Sequence, residues 1–99
     1  MITHIVLIQP KVSTTHEELS AFLEHVQALQ EKIPGILSIS VGENRSDFHG
    51  GFTHGIIMRF VDEAYLQAHH THPAHVAIVT ELDQLCQRSI DFDLPETAL

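Results

Sequence analysis

The order in which strand-like and helix-like patterns follow one another constrains this chain most. Residues 2–9, 36–43, 52–60 and 88–94 alternate in hydrophobicity or run apolar over lengths typical of β-strands. A helical apolar repeat lies between the first two segments, and a helical stretch broken at Pro73 lies between the last two. The resulting order, βαββαβ, predicts an α+β domain of the ferredoxin-like type with an antiparallel four-stranded sheet.

Capping signals predict where the helices begin and end. Thr14 and Glu17 have the spacing of a capping box before the first helix, and Gly35 follows its last turn. Asp62 is placed to cap a short helix, and Pro73 is placed at the first position of the last one. The predicted helices are therefore sufficient to cover one face of a four-stranded sheet.

The faces of the predicted strands differ in polarity. The first and third strands are apolar on both faces, whereas the second and fourth carry one polar face. This distribution predicts the sheet order 4-1-3-2, with the first and third strands as central, parallel neighbours. Because the helices cover one face, a second copy is the economical cover for the other. We therefore expect a homodimer; a monomer with a less apolar sheet is the alternative.

The charge balance limits the expected partners. Thirteen Asp and Glu residues oppose five Lys and Arg residues, for a formal net charge of -8. Because this field repels phosphate backbones and anionic lipid, we expect neither nucleic acid nor a membrane as a partner. The length fits a single domain, 1–99, with its core in about 2–94. The lone Cys86 cannot form an internal disulfide, and no signal-peptide pattern opens the chain, so a cytoplasmic location is expected.

Several short words of the sequence resemble, in order, those of the stress-responsive dimeric A/B-barrel (Dabb) family. The words are Ile2-Thr3-His4-Ile5-Val6-Leu7, Ile33-Pro34-Gly35-Ile36, Val41-Gly42-Glu43-Asn44, Phe52-Thr53-His54, Arg59-Phe60 and His72-Pro73-Ala74-His75. They cover nearly the whole chain, and the last of them is the most specific. The resemblance implies a ferredoxin-like homodimer, a dimeric α/β barrel, with a pocket between each sheet and its helices.

Some plant members of this family are polyketide cyclases, which close a ring by aldol condensation. The resemblance implies that His75 matches their base and that His4 and His54 match histidines around their pocket. Those cyclases carry a Tyr on the preceding helix, and His69 fills that position here. Half of the catalytic pair is therefore absent as such, although Tyr65 lies one turn earlier.

The residues themselves also single out His75 and two strand histidines. If Pro73 opens the last helix, His75 lies in its first turn, where the positive end of the helix dipole disfavours imidazolium. A neutral imidazole accepts a proton from an activated carbon or hydroxyl; the alternative is that His75 only fixes the entry to the helix. His4 and His54, predicted on neighbouring strands among apolar residues, each need a partner, a water or a ligand. The alternative is that both are core histidines whose ring nitrogens are hydrogen-bonded within the protein.

A metal site is not expected at the nearby histidines. His69, His72 and His75 recur at a helix-like step, but six residues turn past one helical face and Pro73 interrupts the segment. No Asp or Glu flanks them as a supporting group. A helix cap at His72 and solvated rings at His69 and His70 are expected instead.

These patterns favour a homodimeric protein with an apolar pocket lined by histidines. We expect small-molecule binding or cofactor-free proton transfer on a small hydrophobic carbonyl compound, with His75 as base and His4, His54 or His69 as hydrogen-bond donors to an enolate oxygen. A non-catalytic stress-protective or interaction module is the alternative, and a haem- or quinone-handling monooxygenase is a third. A cavity of several hundred Å³ between His75, His4 and His54 favours ligand chemistry, whereas side chains filling that space favour the module.

Overall fold

The computed structural model describes residues 1–96, which form a four-stranded sheet with helices packed on one face. The elements are β1 (Ile2–Pro10), α1 (His16–Lys32), β2 (Ile36–Glu43), β3 (His54–Phe60), α2 (Glu63–His69), α3 (Pro73–Leu85) and β4 (Cys86–Pro95). The sheet order is β2-β3-β1-β4 and each pairing is antiparallel. The predicted ferredoxin-like α+β architecture and strand order are therefore confirmed.

The predicted parallel pairing of the first and third strands is wrong. β1 and β3 are antiparallel, with Ile2 opposite Phe60 and Ile8 opposite His54. The α1 crossover makes β1 and β2 run in the same direction, and β3, which turns back from β2, is inserted between them. The two outer pairings follow the same alternation, so the whole sheet is antiparallel.

The capping box before α1 lies one residue later than predicted. The Thr15 hydroxyl accepts from the Glu18 backbone N–H at 3.1 Å, and the Glu18 carboxylate accepts from the Thr15 N–H at 3.0 Å. Thr14 instead donates its hydroxyl to the Leu85 carbonyl at 2.6 Å, which ties the start of α1 to the end of α3. The Asp62 cap of α2 and the first-position Pro73 of α3 are as predicted.

The core lies between the sheet and the helix layer. Its strand positions alternate with the pleat, because every second residue of β1 and β3 points to the helices. The four positions that β1 turns inward are Ile2, His4, Val6 and Ile8. Helix residues Leu19, Phe22, Val26, Leu29 and Leu66 pack against them together with Ile56, Met58 and Phe60. One polar ring, that of His4, is therefore built into the middle of an apolar strand face.

The opposite face of the sheet is apolar and exposed. Within residues 1–96 no helix covers it, and its large side chains keep between 44% and 54% of their surface exposed at Ile57, Ile90, Phe92 and Leu94. The pairings Ile5–Ile57, Ile5–Phe92 and Leu7–Ile90 place these residues side by side across three strands. A hollow of about 360 Å³ indents this face near Ile5, Leu7 and Ile57. An apolar surface of this extent is typical of an interface.

No helix in the described residues is long and apolar enough to cross a membrane.

Cys86, the single cysteine, is buried at the start of β4, where burial raises the pKa of its thiol. A buried thiol with a raised pKa is a poor nucleophile, as the sequence predicts.

Replacement of Gly35 by Ala is expected to destabilise the fold by about 2–3 kcal/mol. Gly35 has a φ of +87°, and an added Cβ would lie 2.3 Å from Cγ of Tyr65. Urea denaturation of Gly35→Ala, Tyr65→Ala and the double variant separates the two causes, because removing the ring relieves the collision but not the left-handed backbone. Strictly additive effects of the two substitutions would contradict the collision.

Candidate functional site

A break between α2 and α3 gathers the histidines of the second helical segment. α2 ends at His69, and His72 caps α3 by accepting from the Ala74 backbone N–H at Nδ1, 3.1 Å away. The chain turns back over these few residues, which places Nδ1 of His75 at 3.2 Å from the carbonyl of His70. The predicted cap at His72 is confirmed.

His69 is the centre of this cluster. Its ring is 1% exposed and lies against Phe60 with the ring centres 4.8 Å apart. Further ring centres lie at 5.5 Å for His4, 4.3 Å for His75 and 4.5 Å for His70. The prediction of a solvated ring at His69 is therefore wrong, because α2 turns this position towards β1 and β3. His70 is exposed, as predicted.

The hydrogen bonds of His69 fix its tautomer. Nδ1 lies close to the Leu66 carbonyl, and since a carbonyl oxygen only accepts, Nδ1 carries the proton. Nε2 is buried and has no hydrogen-bond partner among residues 1–96. Burial, which is the main cause, and the neighbouring imidazoles of His75, His70 and His4 lower the pKa of His69 to about 4. At neutral pH this ring is uncharged and presents an unpaired Nε2 lone pair.

His75 has the same arrangement in a more open position. Its ring is half-buried in the first turn of α3, and Nδ1 donates to the His70 carbonyl. Burial lowers the pKa of His75, as do the imidazoles of His70 and His4, while the Asp91 carboxylate and the hydrogen bond to the His70 carbonyl oppose the change. The bond to His70 does fix the helix entry, but it uses Nδ1 and leaves Nε2 available as a proton acceptor.

His4 is held by a carboxylate that sequence reasoning missed. Its ring is 4% exposed, and Nδ1 forms a close pair with Oδ1 of Asp93. The two residues are direct partners in the register of β1 and β4. Asp91 and Asp93 share the polar face of β4, so the alternation of that strand was the available signal. The register of β4 against β1, which brings this face to His4, could not be read from that alternation.

His54 lies apart from the other three candidates. It is opposite Ile8, whereas His4 is opposite Met58, so four residues of β3 separate the two sites by about 13 Å. Its Nδ1 is 2.9 Å from the Thr53 hydroxyl, and burial is the main cause that lowers its pKa, opposed by Glu43. The expectation of one pocket shared by His4 and His54 fails because their strands are antiparallel.

A small apolar cavity adjoins the cluster on one side. It has a volume of about 210 Å³ and is lined by Ile33, Pro34, Tyr65, Ala68, His69 and His72. The His69 ring belongs both to the cavity wall and to the imidazole cluster, and it fills the space between His4 and His75. The cavity is therefore smaller than the several hundred Å³ that would favour ligand chemistry, and it lies beside the cluster rather than within it.

Comparison with protein families gives a match over nearly the whole chain. The profile described as Stress responsive A/B Barrel Domain (Dabb) matches residues 2–96. This chain belongs to that family. The resemblance carried by the short sequence words is thereby confirmed. A search of curated proteins finds no match to this Dabb protein.

Solved structures share the fold of this Dabb protein at low sequence identity. The protein At3g17210 from Arabidopsis thaliana is 21% identical with a TM-score of 0.92, and the match covers 100% of this chain and 98% of the other. A hydroxynitrile lyase from Passiflora edulis is 17% identical with a TM-score of 0.89 and coverages of 99% and 95%. A dimeric ferredoxin-like protein of unknown function from Jannaschia sp. CCS1 is 22% identical with a TM-score of 0.85 and coverages of 96% and 98%. At these identities the likeness shows the fold alone.

The buried His69 is expected to make the stability of the protein depend on pH. Its pKa falls from about 6.5 in the unfolded chain to about 4 in the folded one, so the unfolded state binds more protons between these values. The contribution of His69 to the free energy of unfolding is therefore complete above pH 6.5. It decreases as the pH falls towards 4, and at pH 5 about 2 kcal/mol has been lost.

Urea denaturation in EDTA at pH 7 and pH 5, for the wild type and His69→Leu, measures this contribution. The Leu variant keeps an apolar side chain of similar size and should lose about 2 kcal/mol less than the wild type on acidification. His16→Gln, at an exposed position of α1, is the control for general charge effects. Equal pH dependence in the wild type and His69→Leu would show that His69 is not held neutral.

Proposed function

We propose that this Dabb protein catalyses cofactor-free proton transfer on a small hydrophobic carbonyl compound, with His75 as the general base. The observation that carries the proposal is the half-buried His75 ring, whose Nδ1 proton is engaged by the His70 carbonyl. Its Nε2 therefore holds a lone pair, and the lowered pKa keeps the ring uncharged at neutral pH. A base with these properties removes a proton from a carbon next to a carbonyl or from a hydroxyl.

The neighbouring groups have different parts in this proposal. His69 accepts at Nε2 rather than donating, since its Nδ1 proton is engaged by Leu66, so the expected donor role does not fit it. His4, oriented by Asp93, stays a proposed partner of the substrate on the sheet side. The Tyr65 hydroxyl, on a residue that lines the cavity, is the donor we propose for the substrate oxygen. His54 takes no part, because it lies towards the other end of the strand.

The cavity limits the substrate that fits this reaction. At about 210 Å³ it is below the roughly 300–1,000 Å³ of common ligand pockets, and its walls are mostly apolar. A substrate whose apolar part lies there contacts His69, and in this proposal its reacting group extends past that ring to His75, whose ring centre is 4.3 Å from that of His69 and which does not line the cavity itself. The proposed substrate is therefore a compact apolar ketone, aldehyde or hydroxynitrile. The lyase of the same fold acts, by its name, on a hydroxynitrile, and such a cleavage begins by removing a hydroxyl proton.

The proposed base is tested by two chemical probes in the presence of EDTA. Deuterium incorporation next to the carbonyl of small ketones is followed by NMR, and hydroxynitrile cleavage is followed by release of the aldehyde. His75→Ala is expected to lower the responding rate by about 10²- to 10⁴-fold, the usual contribution of general base catalysis. His16→Gln should match the wild type. Wild-type rates no faster than buffer on both probes, or equal rates in His75→Ala, would overturn the proposal.

A non-catalytic module is the second candidate, and one observation favours it. The His69 ring fills the space between His4 and His75, so no cavity separates those two rings. A protein that acts through its dimer surface would need no such space. The probe experiment above distinguishes the two candidates, because the module has no rate to lose. The proposal retains the expected cytoplasmic location, where the free Cys86 would stay reduced.

The second part of the proposal is that two copies pair through the exposed sheet face. A face of four strands, each about eight residues long, measures roughly 25 by 19 Å, which is of the order that a standard interface occupies on each partner. Its central residues Ile5, Ile57 and Phe92 are adjacent and apolar. A two-fold pair places the same patch of each copy on the other. The Jannaschia protein of the same fold is described as dimeric.

Phe92→Glu is expected to weaken this dimer by about 30-fold or more, since burying an unpaired carboxylate at an interface centre costs at least about 2 kcal/mol. Sedimentation equilibrium across micromolar concentrations measures the change. Val12→Glu adds the same charge at a side chain that is already fully exposed in the loop before α1 and should leave the dimer intact. A wild-type protein that stays monomeric throughout, or a Phe92→Glu protein that dimerises normally, would exclude this interface.

A further inference from the structure

We infer that His69, His70 and His75 form a binding site for one divalent transition-metal ion of the zinc type. Each of the three offers a ring nitrogen, and these nitrogens lie within 4.8 Å of one another. The sequence-based consideration of a metal site used His72, which the structure assigns to the cap of α3. His70 takes its place, because the break between α2 and α3 folds it back towards His75.

The geometry needs only a small contraction to hold an ion. Zinc–imidazole bonds of about 2.1 Å place the nitrogens of a tetrahedral site about 3.4 Å apart. The cluster must therefore close by up to about 1.4 Å, the difference between 4.8 Å and the separation in a zinc site. His70 can supply this movement, since its ring is exposed and makes no side-chain hydrogen bond within the described residues. The exposed side of His70 also leaves a fourth position for water.

An unpaired buried nitrogen points independently to a ligand. His69 is 99% buried, and its Nε2 has no partner among residues 1–96. Burying such a polar atom without a partner is unfavourable, so its presence calls for a group that binds it. A cation at the cluster would satisfy Nε2, while a second proton there would charge a ring whose surroundings disfavour charge.

The supporting contacts are those that metal-binding imidazoles use. Such a ring donates its other nitrogen to a carbonyl or carboxylate, which fixes its direction and raises its basicity. His69 donates Nδ1 to the Leu66 carbonyl, and His75 donates Nδ1 to the His70 carbonyl. The flanking acidic residues that the sequence lacks are thus replaced by backbone carbonyls. The carboxylate of Asp91 acts on His75 in the sense that favours a cation.

The ligand set selects the class of metal. Three neutral imidazoles suit Zn²⁺, Co²⁺, Ni²⁺ and Cu²⁺, whereas Mg²⁺ and Ca²⁺ prefer oxygen ligands. Binding displaces few protons at neutral pH, because the pKa values of His69 and His75 are already lowered. A bound ion would occupy the His75 lone pair that the proposed reaction uses, so it would act there as an inhibitor. The site itself does not depend on that reaction.

Metal binding is tested on the protein stripped with EDTA and then dialysed. Co²⁺ is titrated while its visible absorption is recorded, and Zn²⁺ displacement gives the affinity. One ion per chain is expected, with Mg²⁺ unable to displace it. His70→Ala and His75→Ala should each weaken binding by at least about tenfold, and His16→Gln should leave binding unchanged.

The exposed position of His70 keeps the test independent of folding. His70→Ala without metal should unfold thermally as the wild type does, and it should lose the rise in Tm that Zn²⁺ gives the wild type. Full wild-type affinity in both His70→Ala and His75→Ala would assign the bound ion to other surface histidines and overturn the inference. A wild-type protein that produces no Co²⁺ spectrum would also overturn it. Neither result depends on whether the protein catalyses proton transfer.

Discussion

The packing of the His69 ring between the sheet and two further imidazoles holds the candidate site together. Phe60 and His4 contact it from the strands, and His70 and His75 contact it from the helix side. In this environment a charged ring would lose hydration and face like charges, so the neutral form is favoured. The backbone carbonyls then decide which nitrogen keeps the proton. The Nε2 lone pair of His75, on which the proposed proton transfer depends, and that of His69, which the inferred metal site also uses, follow from that choice.

The sheet provides the rigid side of this arrangement. β1 and β3 are its central strands, and they supply His4 and Phe60 from the face that the helices cover. The other face of the same strands carries Ile5 and Ile57, which no helix in residues 1–96 covers. The sheet is apolar on both sides, but its helices cover one side only. A partner that covers the second face would also stiffen the strands that hold the histidines, so the site is linked to the oligomeric state.

The element order and the sheet order of this protein were predictable from hydrophobic alternation. Local chemistry located the caps at Asp62 and His72 correctly and misplaced the box at Thr15 by one residue, since Thr14 and Thr15 are chemically alike. Strand direction was mispredicted. Because of that one error, His54 was predicted to share a pocket with His4. The antiparallel register places the two residues apart.

The details of the site could not be read from spacing along the chain. Asp93 reaches His4 through a contact between residues 89 positions apart, which no local pattern reveals. His70 and His75 meet because the helix breaks between them, and a regular helix would have pointed them in different directions. Burial of His69 depends on how α2 lies on the sheet, which its short, mixed sequence does not specify. Position in the family's word order nevertheless singled out His75, the residue that we propose as the base and whose Nδ1 is engaged by the His70 carbonyl.

The tautomers of His69 and His75 provide the most direct test, since the lone pairs at Nε2 underlie both inferences. Long-range ¹H–¹⁵N correlation spectra of the metal-free protein at pH 7 distinguish the two neutral forms from imidazolium for each ring. Both rings are predicted to be neutral with the proton on Nδ1, and His69 should remain so at pH 5 because its pKa is about 4. A proton on Nε2 of either ring, or a charged His69 at pH 7, would contradict the central claim.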